Sequence, residues 1–134
     1  MRVVLDTNIL VSAVLTPGGT CAEIVRLTIN GLLHVLIDER ILMEYREVLS
    51  RPKLGFSSQI IGELISVFTH QGERINGGLL SASLPDPDDI PFLEVAFFGQ
   101  GTIITGNMKH FPPELCCNVP ILMPAQLTDV LRRS

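Results

Sequence analysis

Three carboxylates stand where a freely solvated acid is not expected. Asp6 directly follows the apolar run Val3-Val4-Leu5, Glu44 falls beside Ile41 and Val48 at helical spacing, and Asp89 shares a helical face with Phe92, Leu93 and Ala96. Density is a second signal, because Asp86, Asp88 and Asp89 fall within four consecutive positions and repel one another unless a cation is present. Carboxylates that converge without a matched set of Lys or Arg raise one another's pKa, and a divalent cation relieves that repulsion. Hard oxygen donors with open positions select Mg²⁺ or Mn²⁺ over Zn²⁺. Such a centre lowers the pKa of bound water and stabilises the charge that develops on a phosphodiester during in-line displacement.

Each acid also has a plainer account. Asp86 can make a turn, Asp88 can cap a helix, and Asp89 can favour the positive end of the helix dipole, while Glu44 can be a border residue reaching water or an Arg. Capping explains Asp86 and Asp88 well but explains three crowded acids poorly. Thr7 and Asn8 stand next to Asp6 and can hydrogen-bond it, and Thr105 and Asn107 again put polar groups at the end of an apolar run.

The elements that must position these groups alternate between two periods. Residues 3–5 read as a strand buried on both faces, as in parallel sheets covered by helices, and a ligand site then lies at the strand's carboxyl end. Residues 9–15 can be helical or extended. After the turn Pro17-Gly18-Gly19, Thr20 and Glu23 match a capping box for a helix that stops at Asn30-Gly31. Residues 32–37 give a second buried strand. His34 within it reads as a structural histidine rather than a ligand. Asp38 caps a helix over 39–50 that ends before Arg51-Pro52. A further helix over 57–70 turns Ile60, Ile61, Leu64, Ile65, Val67 and Phe68 inward, and 72–84 reads as loop with one short strand. Pro91 fits only the first turn of a helix, which places that helix start at Asp88 or Asp89. Strands follow at 101–105 and 119–123, and Pro124 opens a last helix. The expected fold is an α/β, three-layer α/β/α sandwich on a central parallel sheet, with residues 1–134 as one domain.

Composition narrows the function. The chain has 134 residues, 46% of them hydrophobic, a mean hydropathy of +0.39 and a net charge of -4, so it offers no basic footprint for nucleic acid. A polyanionic substrate would need a cation or a partner. No apolar run is long enough and free enough of polar residues to cross a bilayer, and no signal peptide is visible, so a cytoplasmic protein without a membrane partner is expected. Cys21, Cys116 and Cys117 have no metal spacing and read as reduced thiols. A phosphatase or nucleotide-binding domain is disfavoured, since no Gly-rich loop follows the first strand and no paired Asp surrounds Asp6.

Four segments together carry a family likeness: the opening Val-Val-Leu-Asp-Thr-Asn-Ile-Leu-Val-Ser-Ala, the helix Glu-Tyr-Arg-Glu-Val-Leu-Ser-Arg-Pro-Lys, the stretch Pro-Asp-Pro-Asp-Asp and the strand end Ile-Ile-Thr-Gly-Asn. In that order they resemble a PIN domain over nearly the whole chain, and more narrowly the branch of toxins related to VapC. The resemblance implies a Mg²⁺- or Mn²⁺-dependent endoribonuclease acting on single-stranded or structured RNA, usually a homodimer, inhibited by a cognate antitoxin protein. It implies Asp6, Glu44 and Asp89 as metal ligands and catalytic acids, with Asp86 and Asp88 as neighbours and Thr7, Asn8 and Thr105 in support. The fourth family position often carries Asp and here is Asn107, which can coordinate through its carbonyl but adds no charge, so a second metal should bind more weakly. His110 could serve instead and would favour Mn²⁺. The departure keeps a second expectation open, a catalytically weakened PIN-like module that binds RNA or protein.

Overall fold

The computed structural model describes residues 1–133. Its elements run β1 (Arg2–Leu5), α1 (Thr7–Leu15), α2 (Thr20–Ile29), β2 (His34–Ile37), α3 (Glu39–Leu49), α4 (Ser58–Gln71), β3 (Glu73–Arg74), α5 (Ile90–Phe98), β4 (Thr102–Ile104), β5 (Ile121–Leu122) and α6 (Pro124–Arg132). The five strands form one sheet in the order β3-β2-β1-β4-β5, with every neighbouring pair parallel. Helices cover this sheet in an α/β sandwich, the arrangement that the alternating periods call for.

β1 is central because its residues suit no other place. Val3, Val4 and Leu5 are wholly buried, so both faces of the strand need cover, and only a central strand of a helix-covered sheet supplies it. Pairing in the registers Val3↔Val35 and Leu5↔Ile104 brings the end of β1 beside the end of β4. On either side of β1 the strand order reverses, and Asp6 follows at that reversal, where ligand sites of open parallel sheets form.

α3 is anchored from both ends of its stripe. Asp38 accepts the Ile41 amide at 3.0 Å as the helix cap. Ile41, Leu42, Tyr45 and Leu49 are buried, and the Tyr45 ring packs on Phe68 and Phe92 with centroids 5.3 and 6.2 Å away. α2 ends as expected, with Gly31 at φ +76, a conformation that a β-carbon disfavours.

Three local expectations are corrected. The capping box at Thr20 and Glu23 does not form: Gly19 is the N-cap and carries no side chain to bond the helix amides. Gly19 holds that place because its backbone runs so close to Thr16 that a β-carbon would sit 3.1 Å from the Thr16 methyl. Ile60 is 45% exposed, since the buried stripe of α4 is carried by Ile65 and Phe68 and Ile60 falls outside it. His34 is exposed rather than enclosed among aliphatics, and its Nε2 meets Glu73 Oε1 at 2.6 Å, a carboxylate that Arg2 also holds at 3.0 Å.

One buried acid lies outside the sequence-derived set. Glu94, in the middle of α5, is 2% exposed and is held by Arg40 at 2.6 Å and by the Leu80 amide at 2.8 Å. Arg40 also grips Asp38 at 2.7 Å, so one guanidinium ties the start of α3 to α5 and to the loop before it. Removing one partner of a buried ion pair strands the other charge. Arg40→Ala is therefore expected to lower the free energy of unfolding by about 2 kcal/mol, below the fully buried limit because Arg40 itself is partly solvated. Urea unfolding checks this, and a loss indistinguishable from zero would show that Glu94 is satisfied without Arg40.

Candidate functional site

Asp6 ends β1 and begins α1. With φ -62 and ψ 148 it is still extended, so its carboxylate turns back over the first turn of α1, and Oδ1 accepts the Thr7 amide at 2.8 Å. Oδ2 receives two more bonds, from Thr105 Oγ1 at 2.8 Å and Asn8 Nδ2 at 3.2 Å. The Asp6 amide donates to Ile104 O at 2.9 Å, fixing the residue to the end of β4. Asp6 is 5% exposed.

The supporting residues are themselves supported. Asn8 Oδ1 accepts the Gly106 amide at 3.2 Å, and Thr105 Oγ1 accepts the Asn107 amide at 3.0 Å. Each thereby links the start of α1 to the chain leaving β4. Thr7 has a double role, its amide on Asp6 and its hydroxyl donating to Glu44 Oε2 at 3.3 Å. Glu44 is half-buried on α3. The next residue, Tyr45, donates its hydroxyl to the carbonyl of Leu5, immediately before Asp6. Sequence reasoning passed over this bond; its trace was a single tyrosine on the apolar stripe next to a suspect acid.

The acidic stretch divides by role. Asp86 caps the 3-10 turn Pro87–Asp89, its Oδ1 accepting the Asp88 amide at 2.9 Å, and Asp88 is exposed. Asp89 precedes α5 but makes no capping bond with its side chain. It is 8% exposed, and its Oδ2 is buried with no hydrogen-bond partner. A buried orphan oxygen is unusual enough to need an account. His110 Nδ1 approaches it at 3.7 Å, too far for a hydrogen bond. Asn107 does not point a free carboxamide at this oxygen: its Oδ1 accepts the Lys109 amide at 3.2 Å and its Nδ2 meets His110 Nε2 at 3.1 Å.

The electrostatics join the three acids. Burial raises Asp6 above the usual carboxylate range, opposed by the bonds from Thr105, Thr7 and Asn8. Burial also raises Glu44, against the Thr7 bond, with Glu47 and Asp6 adding to the rise. Asp89 is pushed up to about 7, first by burial and then by the charge of Asp6, with Asp86 and Glu44 contributing and His110 opposing. The charges of Asp6 and Glu44 thus reach Asp89, and that of Asp6 reaches Glu44. Beside it a shallow cleft of about 400 Å³ runs between α3 and the Pro87–Asp89 turn, lined by Met43, Glu44, Pro87, Asp88 and Pro91 among others.

The donor types suit a hard divalent cation. They include carboxylate oxygens from three separate elements, one of them orphaned, and among the described residues no Lys or Arg hydrogen-bonds Asp6 or Asp89. Among the described residues no three His, Cys, Asp or Glu side chains are gathered closely enough to hold a metal ion as they stand, so the acids would have to draw together or act through coordinated water to hold one.

Residues 2–109 match the PIN domain family. The chain belongs to the PIN domain family. PIN domains are generally nucleases and typically use a divalent metal. An uncharacterized protein of Methanocaldococcus jannaschii is 29% identical over 111 residues, which cover 80% of this chain and 71% of that relative. Among solved structures, the crystal structure of VapBC2 from Rickettsia felis bound to a DNA fragment from their promoter matches with a TM-score of 0.59. That match covers 92% of this chain and 98% of the other at 16% identity, a similarity of fold. Within the PIN fold, Asp6, Thr7, Asn8, Glu44, Thr105 and Asn107 form one hydrogen-bonded group, and Asp89 faces it by charge without bonding to it.

Proposed function

We propose that this PIN domain is a Mg²⁺- or Mn²⁺-dependent endoribonuclease in which Asp6, Glu44 and Asp89 hold the cation. The observation that carries the reading is the orphaned, buried Oδ2 of Asp89, which feels the charge of Asp6, a carboxylate that accepts one bond at Oδ1 and two at Oδ2 and so keeps a lone pair on Oδ1. A bound divalent cation would lower the pKa of a coordinated water and neutralise charge on the scissile phosphate. Thr7, Asn8 and Thr105 keep Asp6 in one rotamer, so no reorganisation is needed as charge develops. Thr7 holds Glu44 at Oε2, and the half-open carboxylate keeps oxygen lone pairs that a cation would use. The cation also reconciles a net charge of -4 with a polyanionic substrate.

The reading extends to single-stranded or structured RNA as substrate, to the toxin role of a toxin–antitoxin pair, with a cognate antitoxin protein as inhibitor, to a homodimer, and to the cytoplasm. Residues 1–134 act in it as one domain. Its support is the PIN family and the VapBC2 likeness of fold, together with the fact that among the described residues no single helix is long and apolar enough to cross a membrane.

The commitment of the Asn107 carboxamide to Lys109 and His110 favours a second reading, a PIN-like module that binds RNA or protein with weak turnover. Cleavage of a panel of labelled RNAs in Mg²⁺, in Mn²⁺ and in chelator separates the two. Cutting that requires metal and stops in chelator is the expected result. No metal-dependent cut on any RNA, with RNA still retained in a gel-shift, hands the protein to the second reading.

A further inference from the structure

His110 Nδ1 lies 3.7 Å from the orphaned oxygen of Asp89, and the state of that nitrogen can be worked out from its neighbours. Asn107 Oδ1 accepts the Lys109 amide at 3.2 Å, which fixes which end of the carboxamide is oxygen. Its Nδ2 lies 3.1 Å from His110 Nε2 and can only donate, so Nε2 accepts. A neutral imidazole that accepts at Nε2 carries its proton at Nδ1, the nitrogen turned towards Asp89.

We infer that His110, set in its Nδ1–H tautomer by Asn107, is a positioning residue that steadies Asp89 by donating to Oδ2, and that Asn107 is a tautomer selector rather than a cation ligand. What Asp89 is steadied for rests on the metal-nuclease reading. Closing the approach by roughly 0.8 Å brings it into N–H···O range, and the ring, 42% exposed, has the freedom to do so. The bond occupies one lone pair of Oδ2 and leaves another for a cation. His110 is thereby withdrawn from ligation itself, since Nδ1 carries a proton and the Nε2 lone pair is taken. An Asp at position 107 has no N–H to offer Nε2, so Asn at this place is the residue that keeps Nδ1 a donor.

Two readouts test this. In the metal-free protein, ¹⁵N NMR of the ring nitrogens is expected to show His110 protonated at Nδ1 with Nε2 bare. Binding of Mn²⁺, followed by the electron paramagnetic resonance signal of the free ion, is expected to weaken about tenfold in His110→Phe, the usual loss when a partner of a metal ligand is removed. His110→Asn, whose carboxamide nitrogen stands where Nδ1 stood, is expected to recover most of that loss. A proton at Nε2 in the natural chain, or equal Mn²⁺ affinity in the natural chain and His110→Phe, overturns the inference. Failure of the natural chain to bind Mn²⁺ at all overturns the metal reading first and the role given to Asp89 with it, a result recognisably different from selective weakening in the variants.

Discussion

Asp6→Asn is expected to reduce metal-dependent RNA cleavage by about a thousandfold or more, a rise of roughly 4 kcal/mol in the barrier, while the protein remains folded. The two effects come from different properties of the same group. Its charge is what a cation needs, and that charge is lost. Its shape is retained, but Oδ1 accepts from Thr7 and Oδ2 from Thr105 and Asn8, so an amide turned either way sets its NH₂ against a donor, a cost of about 1–2 kcal/mol. Against that loss, the variant no longer buries a carboxylate whose pKa is raised by burial. Stability should therefore change little. Single-turnover cleavage of a labelled oligonucleotide, alongside urea unfolding, measures both. A variant that keeps a tenth or more of the natural rate would remove Asp6 from the reaction.

Asp89→Asn is expected to stabilise the metal-free protein at alkaline pH and to flatten its dependence on pH. In the folded chain Asp89 titrates at about 7, against 3.8 for an unperturbed aspartate. Between these values the unfolded chain has released the proton and the folded chain has kept it. The unfolded state then binds fewer protons, so stability falls as pH rises from about 4 to about 7 and levels off beyond. The full shift corresponds to about 4 kcal/mol, and allowing for solvent access to the site leaves about 2 kcal/mol as the expected gain of Asp89→Asn at pH 8. At pH 4 the two proteins should be equally stable. Adding Mn²⁺ should restore the natural chain at pH 8 and leave the variant unmoved, because only a folded state that binds the ion is stabilised by it. Urea unfolding in chelator across this range decides. A natural chain whose stability rises from pH 5 to pH 8 in chelator would mean that Asp89 is not the strained group.

The contrast between these acids shows what was legible beforehand. Asp6 was readable because an acid after an apolar run with no alternation has one place to go, the carboxyl end of a central strand. Glu44 was readable from helical spacing alone, and Asp89 from its face and from Pro91, which set the start of α5 within one residue. Asp88 was expected as a cap and is exposed instead; Asp86 does the capping, since a 3-10 turn at Pro87–Asp89 shifts the geometry by one turn. That shift is not visible in residue types. Nor was Glu94 singled out, although a charged residue inside Ile-Pro-Phe-Leu-Glu-Val-Ala-Phe-Phe was its signal. Its partner Arg40 lies 54 residues away, and pairing at that range depends on how α3 and α5 cross. The capping box at Thr20 failed for the opposite reason, a purely local match overridden by the close approach of Gly19 to Thr16.

The bond from Thr105 to Asp6 joins residues 99 apart in the chain, and β1 lies between a strand that follows it closely and one that arrives late. During synthesis, then, the first acid is made well before the residue whose hydroxyl orients it. A nascent or truncated chain that stops before β4 has Asp6 but lacks the hydroxyl that orients it, the carbonyl of Ile104 that anchors its amide, and Asn107 and His110 beyond. Such a fragment also leaves one edge of β1 unpaired. Until β4 and the residues after it have been made, Asp6 has none of these partners.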